Sequence, residues 1–200
     1  MIAIIDYGVG NLRSVQKAFE KVGADARVTQ DPADIKKADK VVLPGVGAMG
    51  PAMEKLESLG LVSVIKEVIR SGKPFLGICL GMQLLFEKGE ESGGAPGLGI
   101  LKGTVKKLFS KKIPHMGWNQ IKLDQKYCAL FKGIKDSSNF YFCHSYYAAP
   151  GDGAVTAATT DYDGKFACAV AKEKLFGVQF HPEKSQTLGL AVLKNFTELA

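Results

Sequence analysis

The chain has 200 residues, 46% of them apolar, and a formal net charge of +6. That length supports a buried core and is short for two domains, so one compact domain over residues 1–200 is expected. No apolar run approaches the roughly 18 to 20 residues that span a bilayer. The opening Met1–Asp6 lacks the layout of a signal peptide, so a cytoplasmic location with no membrane contact is expected.

The first half alternates strand and helix patterns. Ile2–Ile5 is β-branched and apolar. Leu12, Val15, Ala18, Phe19 and Val22 then recur at helical spacing, and Gly23 follows as a C-terminal cap. Ala26–Thr29 and Lys40–Leu43 read as strands, Pro51–Leu59 and Leu61–Arg70 as helices. Pro74–Ile78 reads as a strong strand, and a helix is expected from about Gly81 to Glu87. Glu90–Gly99 is glycine-rich and reads as a loop. Such alternation predicts parallel β-α-β units in a covered sheet.

The second half reads differently. Asn119–Leu123, Phe140–Phe142, Ala154–Thr160, Phe166–Ala171 and Leu175–Phe180 look like strands divided by Gly, Asp and Pro turns. Leu188–Leu199 returns to helical spacing. Five lysines fall between Lys102 and Lys112; the simplest reading is a solvated strand edge, with a protein or phosphate-bearing partner second. No nucleic-acid-binding motif accompanies them.

Four cysteines are present, Cys79, Cys128, Cys143 and Cys168. They form no CxxC pair, which argues against a metal site, and a disulfide framework is not expected in a chain with this much core. Cys79 stands apart. Gly77-Ile78-Cys79-Leu80-Gly81 places a nucleophile between small residues, after an apolar strand and before a helix. A sharp strand-to-helix turn holds such a side chain in a strained conformation and points it outward. A helix N-terminus beside it favours the thiolate, and the N–H of Leu80 would be free to meet an oxyanion. From this segment alone a tight turn around a buried cysteine is an equal reading. The other three cysteines read as buried filler.

A cysteine nucleophile needs a base. His181 ends the apolar strand Leu175–Phe180 and precedes Pro182 and Glu183. Proline stops the strand and restricts the residue before it, while Glu183 can orient the imidazole, the logic of a nucleophile–base–carboxylate triad. His144 could line the same pocket; His115, in a loop over Pro114–Trp118, reads as a packing or contact residue. Pro44-Gly45-Val46-Gly47 can turn backbone N–H groups toward a ligand, so Val46 or Gly47 is a candidate second oxyanion donor at the carboxyl edge of the sheet. Gly8-Val9-Gly10-Asn11 lacks the third glycine and the Lys-Ser/Thr tail of a phosphate loop and reads as a tight turn.

Taken together, Pro44–Gly47, Gly77–Gln83 and His181–Glu183 resemble the class I glutamine amidotransferases, and they occur in that family's order across most of the chain. The resemblance implies a three-layer, flavodoxin-like α/β fold with a mostly parallel central sheet and a smaller antiparallel sheet. It implies Cys79 as nucleophile, His181 as general base and acid, and Glu183 as its orienter. Val46, Gly47 and Leu80 would form the oxyanion hole, and Gly45, Gln83, Glu91, His144, Ser145 and Tyr146 would bind L-glutamine. No metal or cofactor is implied.

Within the family, Asp6–Leu12, Pro114–Asn119 and His181–Ser185 look most like the glutaminase subunits of imidazole glycerol phosphate synthase. That implies a heterodimer with a (β/α)8-barrel cyclase subunit, contacted through Asn11, Met116, Trp118, Asn119 and Lys184. A glutaminase of another synthase, a free-standing γ-glutamyl hydrolase and a catalytically silent binding subunit are the rival readings.

Overall fold

The computed structural model describes residues 1–125 and 128–199. Five parallel strands lie at its centre: β1 (Ile2–Ile5), β2 (Ala26–Thr29), β3 (Lys40–Gly45), β4 (Phe75–Cys79) and, from the far end of the chain, the strand Leu175–Val178, in the order β2-β1-β3-β4-(175–178). This is the 2-1-3-4-5 order of flavodoxin-like sheets. Both faces are covered, so these strands are apolar on both sides. Ile2 and Ile4 join one buried cluster, Ala3 and Ile5 the other.

Helices complete the layers. α1 (Leu12–Lys21) buries Val15, Ala18 and Phe19. It caps as expected: Gly23, at φ +85°, follows the last turn and donates its N–H to Glu20. α2 (Pro32–Lys37), α3 (Met49–Ser58) and α4 (Leu61–Arg70) cover the opposite face. α2 has no counterpart in the sequence reading. It is short and buries only Ile35, so it leaves almost no periodic signal, yet Asp31 caps it by accepting from the N–H of Ala33 at 2.7 Å. After β4 comes α5, which spans only Leu80–Gln83 rather than running to Glu87. Phe86–Gly89 instead forms β5, because it pairs with β6 (Leu101–Lys107). The Glu90–Gly99 loop holds a short 3-10 turn at Glu91–Gly93.

The second half extends the same sheet with antiparallel strands: β7 (His115–Leu123), β8 (Ser138–His144), β9 (Tyr146–Pro150), β10 (Thr156–Asp161), β11 (Lys165–Lys172) and β12 (Leu175–Val178). β12 is parallel to β4 on one side and antiparallel to β11 on the other, so it joins the two halves. β5, β6 and β9 form the smaller sheet, attached through β9 to β11. Lys102–Lys107 lies in β6, where Lys102, Lys106 and Lys107 are exposed. The segment Pro114–Asn119, expected as a loop, begins β7. His115 is buried and Met116 exposed there, the alternation of a strand.

α6 (Gln186–Thr197) returns to the α1 face, with Phe196 against Phe19 at a ring separation of 6.1 Å. No helix among the described residues is long and apolar enough to cross a membrane. Because both rings are fully buried in the layer joining the first and last helices, Phe196→Ala is expected to lower unfolding free energy by about 3–5 kcal/mol, measured by denaturant titration.

Candidate active site

Strand register assembles the site. β3 and β4 pair with Gly45 opposite Cys79, and β4 and β12 pair with Val178 opposite Ile78. Gln179 therefore emerges level with Cys79, and His181 two residues beyond it, all at the carboxyl edge where ligands bind in open α/β sheets. The edge is close-packed. A Cβ on Gly81 would stand 1.7 Å from the Leu43 carbonyl oxygen, and one on Gly77 would stand 2.6 Å from the Gly81 carbonyl oxygen. The glycines on either side of Cys79 are therefore needed for close approach. Between them Cys79 adopts φ +54°, ψ −109°, a strained conformation for a side-chain-bearing residue. This turn sets the thiol at the mouth of a cleft of about 490 Å³ lined by Val46, Gly47, Leu80, Gln83, Glu91, His144, Ser145, Tyr146, His181 and Lys184.

His181 is nearly buried, and its Nδ1 lies 2.8 Å from Glu183 Oε1. Burial alone would push the imidazole down. The hydrogen bond with Cys79 and that with Glu183, reinforced by the charge of each, reverse this and raise its pKa from an ordinary 6.5 to about 10. The surroundings thus favour the charged form of the ring. Two further groups hold the turn. Ser185 donates its hydroxyl to the His181 carbonyl at 2.7 Å and accepts from the N–H of Tyr141 at 3.0 Å. The N–H of His181 in turn donates to the Tyr141 carbonyl at 2.9 Å.

Gln179, fully buried, was not singled out by sequence. Its Nε2 donates to Cys79 Sγ at 3.5 Å, and its Oε1 accepts from Gln83 Nε2 at 2.9 Å. The available signal was an amide inside an otherwise apolar strand, one residue before the Phe-His-Pro-Glu sequence.

Among the expected substrate residues, Gln83 has both amide hydrogens engaged, by Gln179 and by the Tyr146 carbonyl at 2.8 Å. Gln83 lines the cleft, and its Oε1 can act only as an acceptor. Glu91 accepts from the N–H of Met49 at 2.8 Å. It thereby caps α3, whose own N-cap, Ala48, offers no side chain for this, and pins the end of the Gly45–Gly47 loop. His144 lines the cleft as expected, with its ring held by the protein. Its Nδ1 is bonded to the Tyr146 carbonyl at 2.7 Å and its Nε2 to His115 at 3.0 Å, so neither ring nitrogen is open to a ligand. Leu80 opens α5, where an N–H has no intrahelical partner. A helix of four residues, however, supplies less dipole than the longer one expected from sequence.

The expected partner residues divide. Met116 and Trp118 project from the exposed face of β7. Trp118 packs edge-on against Tyr141 at 6.1 Å, and Lys184 Nζ lies 5.9 Å above the same ring. Half-exposed Val46 projects at the cleft. Asn11 is exposed at the start of α1, beside Gly10, which abuts Gly45. Asn119 does not join this group: strand alternation turns it to the other face, where its Nδ2 meets the Asp161 carbonyl at 2.8 Å.

A thiol, an imidazole and a carboxylate thus converge at an elbow on the sheet edge, and sequence comparison identifies the family. The profile described as "Glutamine amidotransferase class-I" matches residues 3–199. The chain belongs to the class I glutamine amidotransferases. It is 52% identical, over the full length of both chains, to "Imidazole glycerol phosphate synthase subunit HisH" of Syntrophotalea carbinolica. It is 54% identical to the protein of the same name from Moorella thermoacetica, covering 99% of this chain and 94% of that one. A crystal structure described as a glutamine amidotransferase superimposes with a TM-score of 0.78 at 16% identity, over 99% of this chain and 98% of the other. The shared fold is thus retained where little sequence is.

The raised pKa of His181 has a consequence for stability. A group whose pKa is higher folded than unfolded adds stability that is complete below its unfolded value and lost as pH rises through the folded one. The His181 contribution should therefore decline between pH 6.5 and about 10. Glu183→Gln, which removes one of the charges that raise it, should destabilise the protein most below about pH 6, where that contribution is complete, and so flatten stability against pH across the window in urea titrations.

Proposed function

We propose that this chain is the glutaminase subunit of imidazole glycerol phosphate synthase. The observation that carries the reading is the convergence of Cys79 and His181, whose ring is held by Glu183, on one cleft at the sheet edge. The assignment to this synthase rests on full-length relatives of that name.

In the proposed reaction, the Cys79 thiolate attacks the side-chain carbonyl carbon of L-glutamine. The resulting oxyanion lies toward the N–H of Leu80 and that of Val46 or Gly47, donors of a kind each worth about 100- to 1000-fold in rate. His181, already cationic, gives its proton to the departing amine, which leaves as ammonia. A γ-glutamyl thioester remains. The now neutral ring takes a proton from water, the hydroxide displaces the thiolate, and glutamate leaves with His181 and Cys79 restored. No metal enters this cycle.

Ammonia then passes to a cyclase subunit. There it meets a phosphoribulosyl intermediate and yields imidazole glycerol phosphate and an aminoimidazole carboxamide ribotide. The same reading takes residues 1–200 as one amidotransferase domain working in the cytoplasm. The sharing of one sheet by both halves of the chain supports the first part.

Val46, Met116 and Trp118, exposed near the cleft mouth, form the proposed cyclase-facing rim. The peptides flanking Val46 are bordered by glycines, so docking there can turn an N–H toward the oxyanion.

The test uses the heterodimer. Cys79→Ala should lower glutamine-dependent synthesis at least about a thousandfold while leaving synthesis from ammonium salts intact. Retained glutamine hydrolysis would reject the nucleophile. A second measurement addresses the rim: Trp118→Ala should weaken assembly with the cyclase by roughly 30-fold or more, the range of an aromatic hot spot, read by titration calorimetry. Unchanged affinity would move the interface elsewhere.

A further inference from the structure

Two histidines that the proposed chemistry does not use lie beneath the cleft. His115 is buried between Phe142 and Tyr162, with ring separations of 4.7 and 4.0 Å, and its Nδ1 is 3.0 Å from His144 Nε2. Hydrogen bonding determines the proton on every nitrogen. The Tyr146 carbonyl can only accept, so His144 carries its proton on Nδ1. Burial holds His144 neutral, with a pKa lowered to about 3, so its Nε2 is a lone pair. His115 must then donate from Nδ1. Burial lowers its pKa to about 4, so its Nε2 is also a lone pair. Asn119 Nδ2 lies 3.3 Å from that nitrogen and must be the donor. The Asn119 amide is oriented independently, since its Oδ1 accepts from the N–H of Gln120 at 2.8 Å and its Nδ2 also donates to the Asp161 carbonyl.

At the other end the order continues. The Tyr146 carbonyl takes a second hydrogen bond from Gln83 Nε2, whose remaining hydrogen goes to Gln179 Oε1, leaving Gln179 Nε2 to face the sulfur of Cys79. A connected network thus runs from Asn119 through both histidines to the Tyr146 carbonyl, which accepts from His144 on one side and Gln83 on the other, and on through Gln83 and Gln179 to Cys79. We propose that His115 and Asn119 are positioning residues for the glutamine cleft: acting through His144 and the Tyr146 carbonyl, they hold Gln83 and Gln179 in the amide orientations that substrate and sulfur require. This rests on the glutaminase reading.

The alternative is that His115 only fills space, and two substitutions separate the cases because they fail in opposite order. His115→Phe keeps the aromatic stack between Phe142 and Tyr162 but leaves His144 Nε2 without a donor. His115→Asn loses the stack, but its amide can place an N–H near the position of Nδ1. In the heterodimer with the cyclase, His115→Phe should raise the KM for glutamine about tenfold, with kcat within about threefold. His115→Asn should stay nearer wild type in KM despite a lower melting temperature. The reverse ranking, with Phe harmless and Asn impaired, would overturn the proposal.

A second measurement needs no activity. Two-bond 1H–15N spectra of the wild-type chain at pH 7 should show both rings neutral with the proton on Nδ1, the form disfavoured in water. An Nε2–H tautomer or an imidazolium at either ring overturns the chain even if both variants misfold. A wild-type heterodimer that fails to hydrolyse glutamine while showing these tautomers would instead reject the glutaminase reading, and with it the role assigned to the chain.

Discussion

The approach of Gly81 to the Leu43 carbonyl oxygen is the constraint from which the site follows. It lets the chain turn out of β4 within one residue and brings the start of α5 against β3. With Gly45 opposite Cys79 in register, the Gly45–Gly47 loop and Cys79 become neighbours through backbone pairing rather than through side-chain contact. β12 completes the arrangement from the other side, delivering Gln179 and His181 to the same level. Three parallel strands, contributed by residues far apart in sequence, thus align a thiol, an imidazole and backbone donors with little freedom left to each.

Sequence patterning reached the parallel half because its strands are continuous apolar runs and its longer helices have clear periodicity. α2 escaped it because a six-residue helix with one buried side chain carries no period. The truncation of α5 escaped it for a different reason. Leu84, Leu85 and Phe86 are all buried, and a run buried on every side reads equally as helix or strand. Tertiary pairing with β6 decides the outcome. In the Pro114–Asn119 segment, proline and glycine suggested a loop, but Gly117 lies opposite Phe142 within β7 and β8.

The candidate site divides along similar lines. Cys79, His181 and Glu183 stood out because their order and local spacing carry chemical meaning. Gln179 and Ser185 did not, since their importance lies in partners across the fold. His144 shows the complementary limit. Its position beside Ser145 and Tyr146 pointed to the cleft wall, where it lies, but not to the protein partners that take both ring nitrogens. Type and spacing identify groups that react; which lone pair is left open depends on neighbours that linear sequence does not reveal.

Local cost gathers at the same edge of the sheet. Among the described residues, buried side-chain polar atoms without a hydrogen-bond partner are Tyr7 Oη, Thr159 Oγ1 and Glu183 Oε2. Two of these belong to the site: Glu183 orients His181, and the Tyr7 hydroxyl would lie 2.3 Å from a Cβ on Gly45. Burial, followed by the charge of Cys79, raises the Tyr7 pKa, which keeps that hydroxyl neutral. Each orphan atom costs on the order of 1–3 kcal/mol, and the φ of Cys79 adds strain of similar size. A fold whose only function was to be stable would replace Tyr7 by phenylalanine and relax the turn. The surrounding strands are buried on both faces, and that packing is what allows an unfavourable arrangement to persist. Concentration of unmet hydrogen bonds and strain around one sulfur is the pattern expected where structure has been shaped by chemistry rather than by stability alone.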